Sequence, residues 1–316
     1  MFDFLVSADL LVDDFERTVS DLRARLGFDE PRSTWFAGGE GVGFEVVFLR
    51  AHARLQASPT RLEIMAARSL DPAVPAPRTL PHMPGLRRAQ EASPVRTHGT
   101  VFAVSDMPDA IERVRRGGYR HWLDAANDLV PYDRLWVGVS DEEKDRWVPG
   151  DDGGLLIELV ESRSIPGVVE SAIEPAPLEG GGPGTMRRIA ARRWLIPDVA
   201  ASIARLHATF DCTTGPIERT ESGALTAPIL CAHPRSARVD LVQPAPGSVE
   251  AALVAAHGPL PWAIVIEVAD LDAKAADLDT RGTEFAIIVD DIAARPALAP
   301  APVQTANVPF LFVGSV

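Results

Sequence analysis

A strand, an aspartate and a helix recur at equal spacing along this chain. Apolar strand-like runs end at Asp14, Asp106 and Asp198, with 92 residues separating each from the next, and a fourth unit closes at Asp270 after 72 residues. Equal spacing of a supersecondary unit marks internal repetition, and repetition limits the fold to copies of one module. Each aspartate is placed to cap a helix N-terminus through its side-chain oxygen. The helix that follows has one apolar face: Phe15, Val19, Leu22 and Leu26 in the first copy fall at helical spacing. Glycine follows the helix in three copies, at Gly27, Gly117 and Gly282, as a stop signal.

Further strand-like runs follow each helix. They are 43–49 and 61–65 in the first unit, and 121–125, 134–139 and 155–160 in the second. The third unit has 224–231 and 237–242, and the fourth has 284–289 and 308–313. Alternating and β-branched residues make these strands. Each unit therefore reads β-α-β-β-β, an α+β class. Two proline-rich connections, 69–95 and 174–185, separate units, and the second carries Gly180, Gly181 and Gly182. The expected division is residues 1–173, with modules 1–67 and 96–163, and residues 186–316, with modules 186–245 and 259–316.

Composition narrows the partners. A net charge of −13 argues against nucleic acid and anionic membranes. Hydrophobic residues make up 46% of the 316, enough for a sizeable core and too many for disorder. Cys212 and Cys231 lack metal-type spacing and give no disulfide framework. The opening Met1-Phe2-Asp3-Phe4 is acidic rather than basic, and no apolar run reaches membrane-span length. The expectation is a cytoplasmic protein with a small-molecule ligand, and a homodimer is compatible with it.

One residue stands out chemically. Glu158 lies inside the apolar run Leu155 to Val160, behind the turn Asp151-Asp152-Gly153-Gly154. A carboxylate in such a strand is costly without a partner. Glu63 sits in a similar run, Arg61 to Met65.

The stretch Val148 to Val160 resembles the closing strand of the vicinal oxygen chelate superfamily, which includes glyoxalase I, extradiol dioxygenases, epimerases and bleomycin-resistance proteins. Leu26-Gly27-Phe28 after the first helix matches a second motif of that superfamily. The resemblance implies four modules paired into two cup-shaped mixed sheets. It further implies a divalent metal ion in a cup, bound from the first and last strands of each module. Carried over position by position, Glu63 and Glu158 hold the last-strand places. The first-strand places hold Ser7 and Gly99 in the first half, with His98 one residue early. A one-residue offset turns a strand side chain to the other face. In the second half these places hold Ala191 and Ala263, with Asp240 on one closing strand and apolar Phe310 to Val313 on the other. On this carry-over the second half keeps no site, which counts against a ring-cleaving dioxygenase.

The candidate metal ligands are thus Glu63, His98 and Glu158, with Glu63 and Glu158 as catalytic carboxylates. The plainer reading of either carboxylate is an ion pair with an arginine across the sheet, with Arg61 and Arg134 as partners; that of His98 is a strand-leading histidine at the sheet edge. Trp122 and Trp136 suit an aromatic-walled pocket or ordinary core, and His121 suits a substrate contact or a surface position. Gly38 to Gly43 is glycine-rich but precedes a strand, so it reads as a hairpin or loop rather than a phosphate loop. Two functions follow from the resemblance. One is a metal-dependent isomerase, epimerase or lyase acting on a small oxygenated metabolite. The other is a metal-free binding or resistance protein. A scaffold used only for oligomer contacts is a third.

Overall fold

The computed structural model describes residues 2–12, 14–28, 34–37, 44–51, 59–66, 97, 99–126, 131–139, 147–165 and 185–315. His98, the glycine-rich stretch 38–43 and nearly all of both proline-rich connections lie outside the described residues.

All four repeated aspartates cap helices. Asp14 accepts from the Arg17 N–H at the start of α1 (Phe15–Leu26), and Asp106 from Asp109 at α2 (Met107–Arg116). Asp198 accepts from Ala201 at α3 (Val199–Phe210), and Asp270 from Ala273 at α5 (Leu271–Thr280). Each bond satisfies an N–H that has no partner within the helix. Replacing Asp198 by alanine is expected to cost about 1 kcal/mol, read as a lower urea midpoint; an unchanged midpoint would remove the cap from this account. The glycine stops are likewise present. Gly27 adopts φ 81° and returns its N–H to Arg23. In the third copy, which lacks glycine, Asp211 takes the left-handed conformation at φ 50°. Asp is among the residues that tolerate this region.

The first sheet holds β1 (Phe4–Leu11), β2 (Thr34–Ala37), β3 (Phe44–Leu49), β4 (Arg61–Ala66), β5 (Thr100–Val104), β6 (His121–Asp124), β7 (Arg134–Val137) and β8 (Ile157–Glu161). Its order is β2-β3-β4-β1-β5-β8-β7-β6. Within each module the first and last strands are parallel neighbours, β1 with β4 and β5 with β8. The modules join through the antiparallel pair β1–β5, which carries an irregularity between Leu5 and Ser7.

The second sheet repeats this plan. Its strands are β9 (Met186–Leu195), β10 (Thr213–Thr214), β11 (Glu218–Arg219), β12 (Leu225–Leu230), β13 (Arg238–Gln243), β14 (Leu260–Val268), β15 (Phe285–Asp290), β16 (Arg295–Pro300) and β17 (Phe310–Gly314). The order is β10-β12-β13-β9-β14-β17-β16-β15, with β11 paired to β12. Five elements have no counterpart among the runs read from the sequence: the short strands β2, β10 and β11, the strand β16 and the helix α4 (Val249–His257). β16 contains Pro296 and Pro300, which argue against a strand between two neighbours. The helix α4, capped by Ser248, lies outside the repeat grammar.

One face of each sheet is apolar and covered by helices. Leu5, Ala8, Leu10, Leu62, Ile64, Phe102, Ile157 and Leu159 share a continuous core with Ile189, Trp194, Leu206, Val239, Ile264 and Phe310 from the second half. Phe2 stacks on Phe102 at 4.0 Å and meets Phe210 at 5.3 Å. The last carbonyls of α1 are satisfied from the other half: Leu26 by Lys274 Nζ at 2.8 Å, Arg25 by Thr283 and Ala24 by Arg281. These bonds occupy groups that a helix end leaves open. No helix among the described residues is long and apolar enough to cross a membrane.

Candidate functional site

With one face given to the core, strand alternation sends the intervening residues to the opposite, cup-side face. Register then fixes who meets whom. Glu63 on β4 lies opposite Asp9 on β1, and Ser7 opposite Arg61. Ser7 also lies opposite Val101 on β5, which is itself paired with Glu158 on β8. Glu158 faces Trp136 on β7, and Trp136 faces Trp122 on β6. One row therefore crosses a single face through Arg61, Ser7, Val101, Glu158, Trp136 and Trp122, and Glu63 and Asp9 lie two residues along on the same side. Three strand spacings across and two residues along separate the Glu63 and Glu158 backbones, about 16 Å.

The approach to Glu158 is pinned by Asp152. This fully buried carboxyl accepts from the N–H groups of Gly154 at 2.9 Å, Leu155 at 3.3 Å and Ile157 at 2.9 Å, and from Trp147 Nε1 at 2.9 Å. Burial pushes it up to about 7 even against these four donors. Gly153 and Gly154 follow at φ 73° and 91°, a backbone region that glycine enters without strain. Bonded to Ile157 at the first residue of β8, Asp152 fixes where that strand begins. It thereby fixes which of its residues faces the cup.

The row is densely charged for a buried surface. The Ser7 hydroxyl donates to Glu63 Oε2 at 2.8 Å. Arg134 donates to Asp124 on the adjacent strand, and both side chains are buried. Arg61 lies over the Phe48 ring at 3.9 Å. Glu158 is 5% exposed, and its carboxyl is pushed up to about 8. Burial is the main cause; Glu63 and Asp124 add to it, and Arg134 opposes it. Asp9, 1% exposed, is also held well above the usual carboxylate range, by burial first and then by Glu63 and Glu158. Tyr132 is pushed up to about 12 by burial and the same two glutamates. Arg192, from the second half, donates to the Asp9 carbonyl at 3.3 Å, and burial lowers it to about 10.

Asp9 was not anticipated, although the argument that singled out Glu158 applies to it unchanged. It is an acid inside the apolar run Leu5 to Val12. Attention to the place seven residues before the capping Asp selected Ser7 instead. The strand period puts Ser7 and Asp9 on the same face, and the register makes Asp9 the direct neighbour of Glu63.

The other anticipated residues divide. Trp122 and Trp136 reach the cup face but are buried, and they pack with Val139, Trp147 and Leu156 into a small apolar cluster beside Glu158. His121 is corrected: it pairs with Val137, which belongs to the helix-side core, so alternation turns it away from Trp122 and the cup. Its Nδ1 lies 3.0 Å from the Tyr119 carbonyl oxygen. Gly99 takes the first-strand place of the second module. A Cβ there would lie 3.3 Å from the Leu156 carbonyl oxygen, 3.5 Å from the Trp136 ring and 3.9 Å from Glu158 Cβ, so this place abuts Glu158 but offers no ligand.

A divalent metal ion does not fit the described residues. No group of three His, Cys, Asp or Glu side chains among them could hold one. The charges around the acids agree. Arg61 acts on Glu63 and Asp9, and Arg134 on Glu158, so a dication entering this row would meet two guanidiniums, with Arg192 acting on Asp9 from the core side.

In the second half the places compared with metal ligands hold alanine, at Ala191 and Ala263. The cup-side face there carries Arg193, which pairs with Asp290 at 2.6 Å and with Asp240 at 3.6 Å. Register places Arg193 opposite Asp240, and Ala191 opposite Arg238 and Val265.

No family model matches the sequence, and no curated protein does. Solved structures do match. A triple mutant of 4-hydroxymandelate synthase from Streptomyces coelicolor superposes over 99% of this chain and 93% of its own, with TM-score 0.63 and 15% identity. Methylmalonyl-CoA epimerase from Mycobacterium tuberculosis matches 44% of this chain over 95% of its own, with TM-score 0.39 and 19% identity. With its four modules paired into two mixed sheets, and with a whole-length superposition on the synthase, the chain has the vicinal oxygen chelate fold.

Proposed function

We propose that the first cup binds a small oxygenated metabolite and moves a proton on it, with Glu158 as the acid–base group. The observation that supports this is a single one. Glu158 lies on the cup face with its carboxyl held protonated up to about pH 8, so it can exchange a proton near neutrality. Glu63, bonded to Ser7, and Asp9 set its electrostatic surroundings. The reaction class is isomerisation, epimerisation or elimination next to a carbonyl.

A second reading, sequestration without chemistry, is favoured by Arg61 and Arg134. These would hold an acidic ligand without any need for proton transfer. Proton exchange separates the two. The protein is incubated in D2O with a panel of α-hydroxy and α-keto acids, and loss of the signal of the C–H next to the carbonyl (the α-carbon of a hydroxy acid, the carbon adjoining the keto group of a keto acid) is followed by NMR. Exchange is expected to rise with pH up to about 8, as the base form accumulates, and to fall by ~10²–10⁴ in Glu158→Gln. Ligand-induced shifts with no exchange would favour sequestration. Exchange unaltered in Glu158→Gln would overturn the role of that residue.

A further inference from the structure

The cup-side face of the second sheet opens into a cavity of about 520 Å³. That is within the usual range for a small-molecule site. Its floor is small and apolar: Ala191 and Val265 line it and pack with Ala297, Leu311 and Val313. Ala191 is the first-strand residue of its module, so the short side chain there leaves room over the sheet.

The walls are cationic. Five arginines line the cavity: Arg188, Arg193, Arg235, Arg238 and Arg295. Three carboxylates face them. Glu267 pairs with Arg188 at 2.8 Å, Asp290 with Arg193 at 2.6 Å, and Asp240 with Arg238 at 2.6 Å. Two positive charges are left over, in a chain whose net charge is −13. Arg193 is 4% exposed, and the cost of burying that guanidinium is met only in part by its two acids.

The polar atoms left without a hydrogen bond decide the sign of the ligand. Among the described residues lining the cavity they are Arg235 Nη1, Arg295 Nε and His233 Nε2, while Arg193 Nε lies against Asp240 at 3.6 Å. The first two can only donate. His233 Nδ1 accepts from the Arg235 N–H at 3.1 Å, so in the neutral ring the proton sits on Nε2, and this third atom is a donor as well. A buried donor without an acceptor costs roughly 1–3 kcal/mol. All three atoms therefore ask for acceptor oxygens, and the charge balance asks for about two negative charges.

We propose that the second cup is a metal-independent binding site for a small dianion, a dicarboxylate or phosphomonoester, held by Arg193, Arg235, Arg295 and His233 over the Ala191 floor. This site does not depend on the reading of the first cup. It occupies the other sheet and uses none of the same residues.

Calorimetric titration of the full chain tests it, with succinate and inorganic phosphate as separate probes and succinamide as the uncharged control. At least one dianion is expected to bind saturably, with a dissociation constant below about 1 mM. Succinamide is expected not to bind. Arg235→Gln and Arg295→Gln are each expected to weaken binding at least tenfold. Arg163→Gln, which removes an exposed arginine of the first half, is expected to leave it unchanged. Binding of succinate alone assigns the dicarboxylate, and binding of phosphate alone assigns the phosphate group. Circular dichroism of each variant accompanies the titration. If Arg295→Gln fails to fold, Arg235→Gln decides, because that residue sits in a partly exposed turn between strands. Binding of neither dianion, or wild-type affinity in a folded Arg235→Gln, overturns the proposal.

Discussion

Replacing Arg134 with alanine is expected to destabilise the protein by ~3–5 kcal/mol. Arg134 and Asp124 face each other on β7 and β6, and both are buried, at 7% and 8% exposure. Truncating the arginine leaves Asp124 without its guanidinium in a poorly solvated position. It also removes the one positive charge that opposes the upward shift of Glu158. Both acids then respond as buried carboxylates do, by taking up protons. Two measurements check this. Urea unfolding should show a large fall in midpoint with little change in slope. The loss should be partly recovered in the double variant Arg134→Met with Asp124→Leu, because replacing both partners removes the uncompensated charge. An Arg134→Ala protein within ~0.5 kcal/mol of wild type would show that water reaches the pair.

The second large effect is a fall in stability between pH 5 and pH 8. The sign follows from linkage. The Glu158 carboxyl has an ordinary value of 4.5 when unfolded and is pushed up to about 8 when folded. Below 4.5 both states hold the proton, and its contribution is fully present. Between the two values the folded state holds a proton that the unfolded state has released, so stability is lost as pH rises. Above 8 the loss is complete. Asp152, shifted from 3.8 to about 7, and Asp9 act in the same direction. The Glu158 share is roughly 4 kcal/mol across the window. Glu158→Gln, which mimics the protonated side chain, should flatten the profile and be more stable than wild type at pH 9. The check is a set of urea midpoints at pH 5, 7 and 9 for both proteins. Parallel profiles would mean that Glu158 ionises as freely in the fold as outside it.

The two cups illustrate different limits of inference from pattern. Glu63 and Glu158 were conspicuous because each interrupts an apolar run, and the register places both on one face with arginines nearby. Arginines act on both: Arg61 on Glu63 from the same strand, and Arg134, itself paired with Asp124, on Glu158. Asp9 interrupts its run just as plainly, two residues from the family position at Ser7. Of the two places open to His121, alternation assigns the one away from the cup. The arginines of the second cup had no signature at all. Arg188 and Arg193 belong to one strand, Arg238 and Arg295 to two others, and Arg235 to a turn, and no spacing in the chain links them.

The linear order of residues was sufficient for the module and its copies. The capping aspartates, the glycine stops and the alternation of strands are local, because a helix end or a strand face is specified by residues within a few positions of each other. Opposing faces of a sheet therefore followed from the sequence alone. What only the tertiary structure decided is which charges meet. The β1–β5 and β9–β14 pairings bring together strands some ninety and seventy residues apart, and the register across those joints is set by packing of the shared core rather than by any local signal. Arg192 can reach the Asp9 carbonyl only because the two halves share one core, and Arg193 can meet both Asp240 and Asp290 only because three strands of one sheet, β9, β13 and β15, bring them together. The repeat thus dictates the cups, and long-range packing dictates their chemistry.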